Sequence, residues 1–407
     1  MLIFNATKKT ILKTDIMDKS SFSRRNFLRL GAAATAGFVS AGGHVSKAAP
    51  VTPTNNKEII YRRLGNTGIK VPIVSMGVMR ADNLNILKAA YNLGFKHFDT
   101  AHVYQEGRNE EMCGNFFKDK PRDSFVIATK VKPERDSGKQ DFLDMLDLSL
   151  DRLQMEYVDI LYLHAVDDEE YLHNPEFLEA MKSAKEMGKV KHVGFSTHRN
   201  MASLINAAVE KGFYEVILTT YNFRYADDSD LNGALKSAHE AGVGIVGMKN
   251  MAGGWLDEDK TKPVNGKAAL KFALSSPYVH TCIPGIVSFE MLMENWSVAS
   301  ENTLTPAEKE DLQLASNEQG MFCTGCSSCV GQCPRNLPVS DLMRSYMYNF
   351  AYAYPAKARE TVLSLNLSDD PCAGCEECTV NCKSGFDVKS KITNIARIRN
   401  VPGEFLV

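Results

Sequence analysis

After residue 43 the 407-residue chain has no run of twenty uninterrupted apolar residues, the length a helix needs to cross ~30 Å of hydrocarbon. A permanent membrane span is therefore not expected in the mature chain. An excess of charge of one sign is missing too. Lys and Arg number 47 against 49 Asp and Glu, a formal net charge of -2, and no basic stripe follows the N-terminal segment. Nucleic acid is thus not an expected partner. No strand-like run is followed by a G-x-G-x-x-G turn, the mark of an open doubly wound dinucleotide-binding sheet. Nor is any flavin motif present. Cysteine is nearly absent from the first 320 residues: of ten, only Cys113 and Cys282 fall there. Each stands alone among apolar neighbours, where a small buried hydrophobe is the default role.

The N-terminal segment carries "SRRNFLRLGAAATAGFVSAGG", residues 23–43. Paired arginines before Phe27-Leu28 and a weakly apolar run have the order of a twin-arginine export signal. Small residues at Ser46-Lys47-Ala48 predict cleavage after Ala48, so residues 1–48 read as a removable signal and the mature chain as periplasmic. Met17, just upstream, is an alternative start. No cysteine follows the apolar run, which speaks against a lipid anchor.

Hydrophobic content of 44% supports a substantial core, and the chain length allows one large domain and one small. Between Ile59 and about Glu301, apolar runs such as "FKHFDTA", "SFVIATKV", "VDILYLHAV" and "GVGIVGMK" alternate with amphipathic segments such as "NLNILKAAYNLG". Eight β-then-α units predict a closed parallel (β/α)₈ TIM barrel over residues 59–302. The runs are apolar throughout, as strands covered on both faces require. In such a barrel the chemistry sits at strand C-termini.

Asp99 closes the second run, with Tyr104 five residues on; Lys130 closes the third and His164 the fourth. A barrel brings all four to one rim. The set suits carbonyl reduction, because the carbonyl oxygen gains charge as hydride arrives and needs a proton from an acid. A tyrosine with a pKa near ~10 suits that task poorly at neutral pH. A lysine ammonium within ~4–6 Å is expected to lower that pKa. Asp99 would hold the lysine, and His164 would orient the substrate oxygen.

Residues 59–302 resemble the aldo-keto reductase superfamily, on "FDTAHVYQEGRNEE", "LDLSLDRLQMEYVDILYLH" and "GKVKHVGFSTH". The resemblance implies Tyr104 as general acid/base, tuned by Lys130 and Asp99, with His164 orienting a small carbonyl or alcohol substrate. It also implies a nicotinamide dinucleotide, NAD(P). Ser196 would meet its carboxamide, Tyr221 would stack on its ring, and Gly285, Glu294 and Asn295 would hold its phosphate end. The chain departs from the pattern after Ser196, with Thr197-His198. Between Gly285 and Glu294 it has no Lys or Arg to pair with a 2′-phosphate, so NAD and NADP both stay open.

The remaining eight cysteines lie in two blocks, "CTGCSSCVGQCP" and "CAGCEECTVNC". Both read C-x₂-C-x₂-C-x₃-C, the spacing of bacterial two-cluster ferredoxins, in which each fourth cysteine serves the other cluster. One [4Fe-4S] cluster is thus expected on Cys323, Cys326, Cys329 and Cys382. The other is expected on Cys372, Cys375, Cys378 and Cys333. Residues 318–390 then form a small C-terminal ferredoxin-like iron-sulfur domain. Disulfides are the competing reading for an exported chain, and zinc the competing metal, although zinc needs no third cysteine in each run. Clusters assembled in the cytoplasm would explain a signal that exports folded cargo. Two redox modules imply an oxidoreductase with a redox partner. The other reading is an electron-transfer or docking protein whose barrel is a non-catalytic scaffold.

Overall fold

The computed structural model describes residues 58–257, 259–317 and 321–406; the twin-arginine stretch lies outside them. Residues from Lys57 onward make one compact unit. A short antiparallel hairpin, β1 (Tyr61–Arg63) and β2 (Lys70–Pro72), comes first. Its Leu64 and Val71 plug one end of the barrel.

Eight parallel strands follow: β3 (Met76–Gly77), β4 (His97–Asp99), β5 (Val126–Val131), β6 (Val158–Val166), β7 (Val190–Thr197), β8 (Val216–Thr220), β9 (Gly244–Met248) and β10 (Thr281–Cys282). Each neighbours the next in chain order. Parallel bridges Val74–Cys282 and Gly77–Gly285 join the first to the last, so the sheet closes. This is the (β/α)₈ barrel expected from the alternation of runs. Ala128, Ile160, Tyr162, Val216, Leu218 and Val246 fill its interior. The intervening Ile127, Leu161, Ile217 and Ile245 face the helices. That two-sided burial makes each run continuously apolar.

The outer layer includes α1 (Leu84–Leu93), α2 (Arg108–Phe117), α3 (Lys139–Leu153), α4 (Glu169–Leu172), α5 (Pro175–Glu186), α6 (Met201–Lys211), α7 (Ser229–Glu240), α8 (Gly266–Ser275) and α9 (Phe289–Val298). Capping is local and explicit. Asn83 accepts from the Asn85 N–H at the start of α1, which ends at Gly94 in the left-handed region (φ 109°), where a side chain would be strained. Cys113 and Cys282 are both fully buried.

After α9, helix α10 (Pro306–Asn317) packs Leu312 and Ala315 against Ala268 and Ala269 of α8. The cysteine-rich part is helical: α11 (Val339–Phe350), α12 (Pro355–Ser364) and α13 (Val388–Ala396), with no strand among described residues 321–406. The segment between the cysteine blocks carries α11 and α12. Leu342, Met343, Met347, Val362, Ile392 and Ile395 form the core of this part, and Cys323, Cys329, Cys333, Cys372 and Cys382 pack on it.

Candidate active site and cluster cradle

Strand ends bring the predicted rim residues together. Lys130 is their hub: its Nζ donates to Asp99 Oδ1 at 2.5 Å, to the Thr100 carbonyl at 2.6 Å and to the Tyr104 hydroxyl at 3.3 Å. The His164 ring meets Tyr104 edge-on, with centroids 5.8 Å apart. Asp99, Lys130 and His164 are all buried. Tyr104 opens a 3₁₀ turn (Tyr104–Gly107) in which Gln105 and Glu106 take left-handed φ values of 52° and 57°.

The electrostatics differ from the sequence expectation. Burial, followed by the Asp99 carboxylate, Tyr348 and Tyr354, raises the Tyr104 pKa well above its ordinary value. Lys130 stands 3.3 Å from the hydroxyl, but its charge is matched at contact distance by Asp99. To the phenol, the pair presents a dipole rather than a free cation. Burial, then Lys130 and more distant cations, holds His164 well below its ordinary pKa, so its ring is neutral.

Tyr348 and Tyr354 point to a feature that no motif announced: the cysteine-rich part covers the mouth of the barrel. Tyr225 donates its hydroxyl to the Thr324 carbonyl. Arg199 pairs with Asp341 of α11 at 3.1 Å. A Cβ on Gly253 would lie 2.3 Å from the Phe322 ring. Lys249 lies under the rings of Tyr348 and Tyr352, and Arg80 under that of Tyr352. The aromatic repeat "SYMYNFAYAYP" was the available signal.

The predicted nicotinamide contacts are not brought together. Ser196 accepts from the Ala165 N–H at 2.9 Å. Tyr221 turns away from the mouth: its hydroxyl donates to Asn232 Oδ1 at 2.8 Å and its ring stacks on Phe272 of α8. Strand parity explains this, since Val216 and Leu218 point inward and Tyr221 therefore faces the helices. Ser196, Tyr221 and Asn295 are 1%, 5% and 4% exposed, which leaves only Gly285 and Glu294 accessible. Phe322–Gly325 covers the ends of β7 and β9. As it stands, the nicotinamide end of this path does not fit the dinucleotide.

The eight cysteines do fit two clusters. Cys323, Cys326, Cys329 and Cys382 line one cavity together with Val339, Met343, Phe386 and Val388. Cys372 lies within electrostatic range of Cys375, Cys378 and Cys333. This is the crossed grouping that the spacing implies. All ten cysteines are unpaired. Burial pushes the Cys323 thiol up to about 11; the Gly325 N–H opposes the shift, while Cys326 and Cys329 reinforce it. Crowded thiols of this kind need cationic metal to become thiolates. Among the described residues no three His, Cys, Asp or Glu side chains converge on a single-ion site. Zinc would need sulfurs ~2.3 Å from one centre, whereas a cubane gives each thiolate its own iron.

Comparison with known proteins agrees with this division. Residues 68–268 match the aldo/keto reductase family and residues 322–387 a 4Fe-4S dicluster domain. L-galactose dehydrogenase of Arabidopsis thaliana is 26% identical over 300 residues, covering 63% of this chain and 92% of the relative. L-glyceraldehyde 3-phosphate reductase of Escherichia coli strain K12 is 29% identical over 229 residues, covering 50% of this chain and 65% of the relative. A solved aldo-keto reductase from Bacillus halodurans, in its holo form, shares the fold. Its TM-score is 0.53 at 24% identity, over 63% of this chain and 96% of the other.

Proposed function

We infer that this oxidoreductase, an aldo-keto reductase domain joined to a 4Fe-4S dicluster domain, interconverts a carbonyl and an alcohol at the covered mouth of its barrel. The observation that carries this reading is the Lys130 hub, which joins Asp99 and Tyr104 at the strand ends. A substrate oxygen between Tyr104 and His164 would meet a protonated phenol and a neutral imidazole. Reduction requires a two-electron, hydride-equivalent donor to the carbonyl carbon, and Tyr104 gives its proton to the oxygen as charge develops there. The Asp99–Lys130 pair fixes the phenol and offers a route for its reprotonation. The tyrosine cover narrows the access of water to the reacting atoms.

The eight cysteines would hold the two clusters, which supply one-electron transfer when bound. Such clusters imply a redox partner. The nicotinamide implied by family resemblance is not assigned a role, because its contacts are not available. That mismatch favours a second reading, in which the barrel is a scaffold and the clusters carry all the redox work. We place the protein outside the cytoplasm, exported after folding through its twin-arginine segment, since unfolded export would forfeit the clusters.

An anaerobic screen of carbonyl compounds against the reduced holoprotein tests the enzyme reading. A substrate whose turnover falls on Tyr104→Phe supports it; equal turnover by the variant leaves the scaffold reading. Export is tested in a host lacking the twin-arginine translocase. There the chain should stay cytoplasmic and uncleaved, and export all the same would remove the assignment.

A further inference from the structure

The barrel mouth has two chemically different halves. The ends of β4, β5 and β6 hold the Asp99–Lys130–Tyr104–His164 group. The ends of β7, β8 and β9 instead bring His198, Thr220 and Lys249 to a cavity of about 30 Å³, room for a couple of waters. The cluster domain closes that cavity with Ser340 and Arg344 of α11 and with Cys323. No Asp or Glu lines it.

Lys249 is the residue that needs explanation. It lies beneath two tyrosine rings, 5.6 Å and 5.9 Å from their centroids, and no carboxylate pairs with it among the described residues. An ammonium withdrawn from water without a counter-charge is costly. Arg344 is only loosely matched, at 3.9 Å from Asp341, and Asp341 makes its closer pair with Arg199 at 3.1 Å. Three cations, Arg199, Lys249 and Arg344, and three hydroxyls, Thr220, Thr324 and Ser340, thus line one small cavity, and of the cations Arg199 is matched by Asp167 and Asp341. Arg344 also lies within electrostatic range of both His164 and His198, and His198, which lines the cavity, within that of His164 and Lys130.

We propose that this half of the mouth is a substrate subsite for an anionic oxygen group, a carboxylate or a phosphate. Lys249 supplies the charge, Arg344 a second arm from the cluster domain, and Thr220 and Ser340 hydroxyl donors. The substrate of the barrel is then a carbonyl compound with an anionic end, its carbonyl at Tyr104 and its anion at Lys249. Neither domain alone completes the subsite. The inference rests on the carbonyl-converting reading of the same mouth, but its test needs no turnover.

The alternative role for Lys249 is as counter-charge to the cluster at Cys323, and the experiment separates the two. Anaerobically purified holoprotein, with its iron content verified, is titrated calorimetrically with inorganic phosphate, with acetate, and with chloride at matched ionic strength. Phosphate or acetate should bind where chloride does not, and whichever binds identifies the anion class. Lys249→Met and Arg344→Gln should each weaken that binding at least tenfold while iron content and cluster EPR stay unchanged. Lys249→Arg should retain binding. Absence of binding by both anions overturns the proposal. So does a Lys249→Met protein that loses iron or shifts its cluster midpoint potential yet binds the anion as before. Should Lys249→Met fail to fold, Arg344→Gln alone decides: unchanged binding overturns the proposal.

Discussion

Gly325, in the loop between Cys323 and Cys326, lies so close to His198 at the barrel mouth that a Cβ on it would stand 1.9 Å from the His198 carbonyl oxygen. Its φ of 80° is also left-handed. The cluster cradle and the barrel therefore meet backbone to backbone. Gly325→Ala should separate them, giving a normally folded barrel by circular dichroism but reduced cluster absorbance. Gly331→Ala is the matched control: its φ is 75° with nothing within 4 Å of the added atom. That variant carries the left-handed penalty alone, about 1–2 kcal/mol. If both variants retain their clusters equally, the close approach has no structural weight.

The same closeness predicts weak or absent nicotinamide binding. Calorimetric titration of the anaerobic holoprotein with NADH and NADPH should show no saturable heat up to about 1 mM, the level of a binding free energy near −4 kcal/mol. Micromolar binding of either, or a nucleotide released from the purified protein and seen by mass spectrometry, would mean that Phe322–Gly325 moves aside.

Tyr104 carries a prediction with a definite sign. Burial keeps its pKa well above the ordinary value and His164 well below its own. The phenol therefore stays protonated, and the imidazole neutral, from about pH 6.5 to pH 9. Neither group should then add a limb to the kcat/KM for carbonyl reduction within that window, and Tyr104→Phe should lower it by about 10²–10⁴-fold at every pH. A limb near pH 7–8 that vanishes in Tyr104→Phe would show that Lys130 governs the phenol after all.

Much of this was legible because barrel strands advertise themselves. Runs such as "VDILYLHAV" are apolar on both faces only if both faces are covered, and β6 is indeed packed inside and out. Asp99, Lys130 and His164 stand at strand ends, so order along the chain translates directly into position on the rim. Less legible was anything settled by tertiary contact. The hairpin strands have three residues each, too few for a period, and Arg62 anchors the first by donating to the distant Leu274 carbonyl. Helix α11 reads as amphipathic, but nothing local says that its tyrosines cover the mouth. Tyr221 was legible in principle: two-residue alternation from Val216 and Leu218 turns it outward.

The Asp99–Lys130 pair is buried on both sides, with side chains 2% exposed, so its removal should be asymmetric in stability. Asp99→Leu leaves a buried ammonium without its partner and should cost about 3–5 kcal/mol. Lys130→Met should cost less, because burial already pushes the Asp99 carboxyl up toward its neutral form. The double variant Asp99→Leu/Lys130→Met should recover most of the loss. Anaerobic urea unfolding followed by circular dichroism measures all three. Strictly additive losses would mean that the two charges stabilise the fold independently.

Cys382 is separated from Cys323, Cys326 and Cys329 by more than fifty positions, yet all four line one cavity, while Cys333 stands in the electrostatic neighbourhood of Cys372. Ligation should therefore follow space rather than sequence block. Cys382→Ser and Cys326→Ser should damage the same cluster and leave the same residual EPR signal. Cys333→Ser and Cys375→Ser should leave the other. Each single variant should fall from about eight irons per chain toward about four. If Cys382→Ser instead pairs spectroscopically with Cys375→Ser, each block serves its own cluster, and the cavity that gathers Cys382 with the first three cysteines does not mark a cluster site.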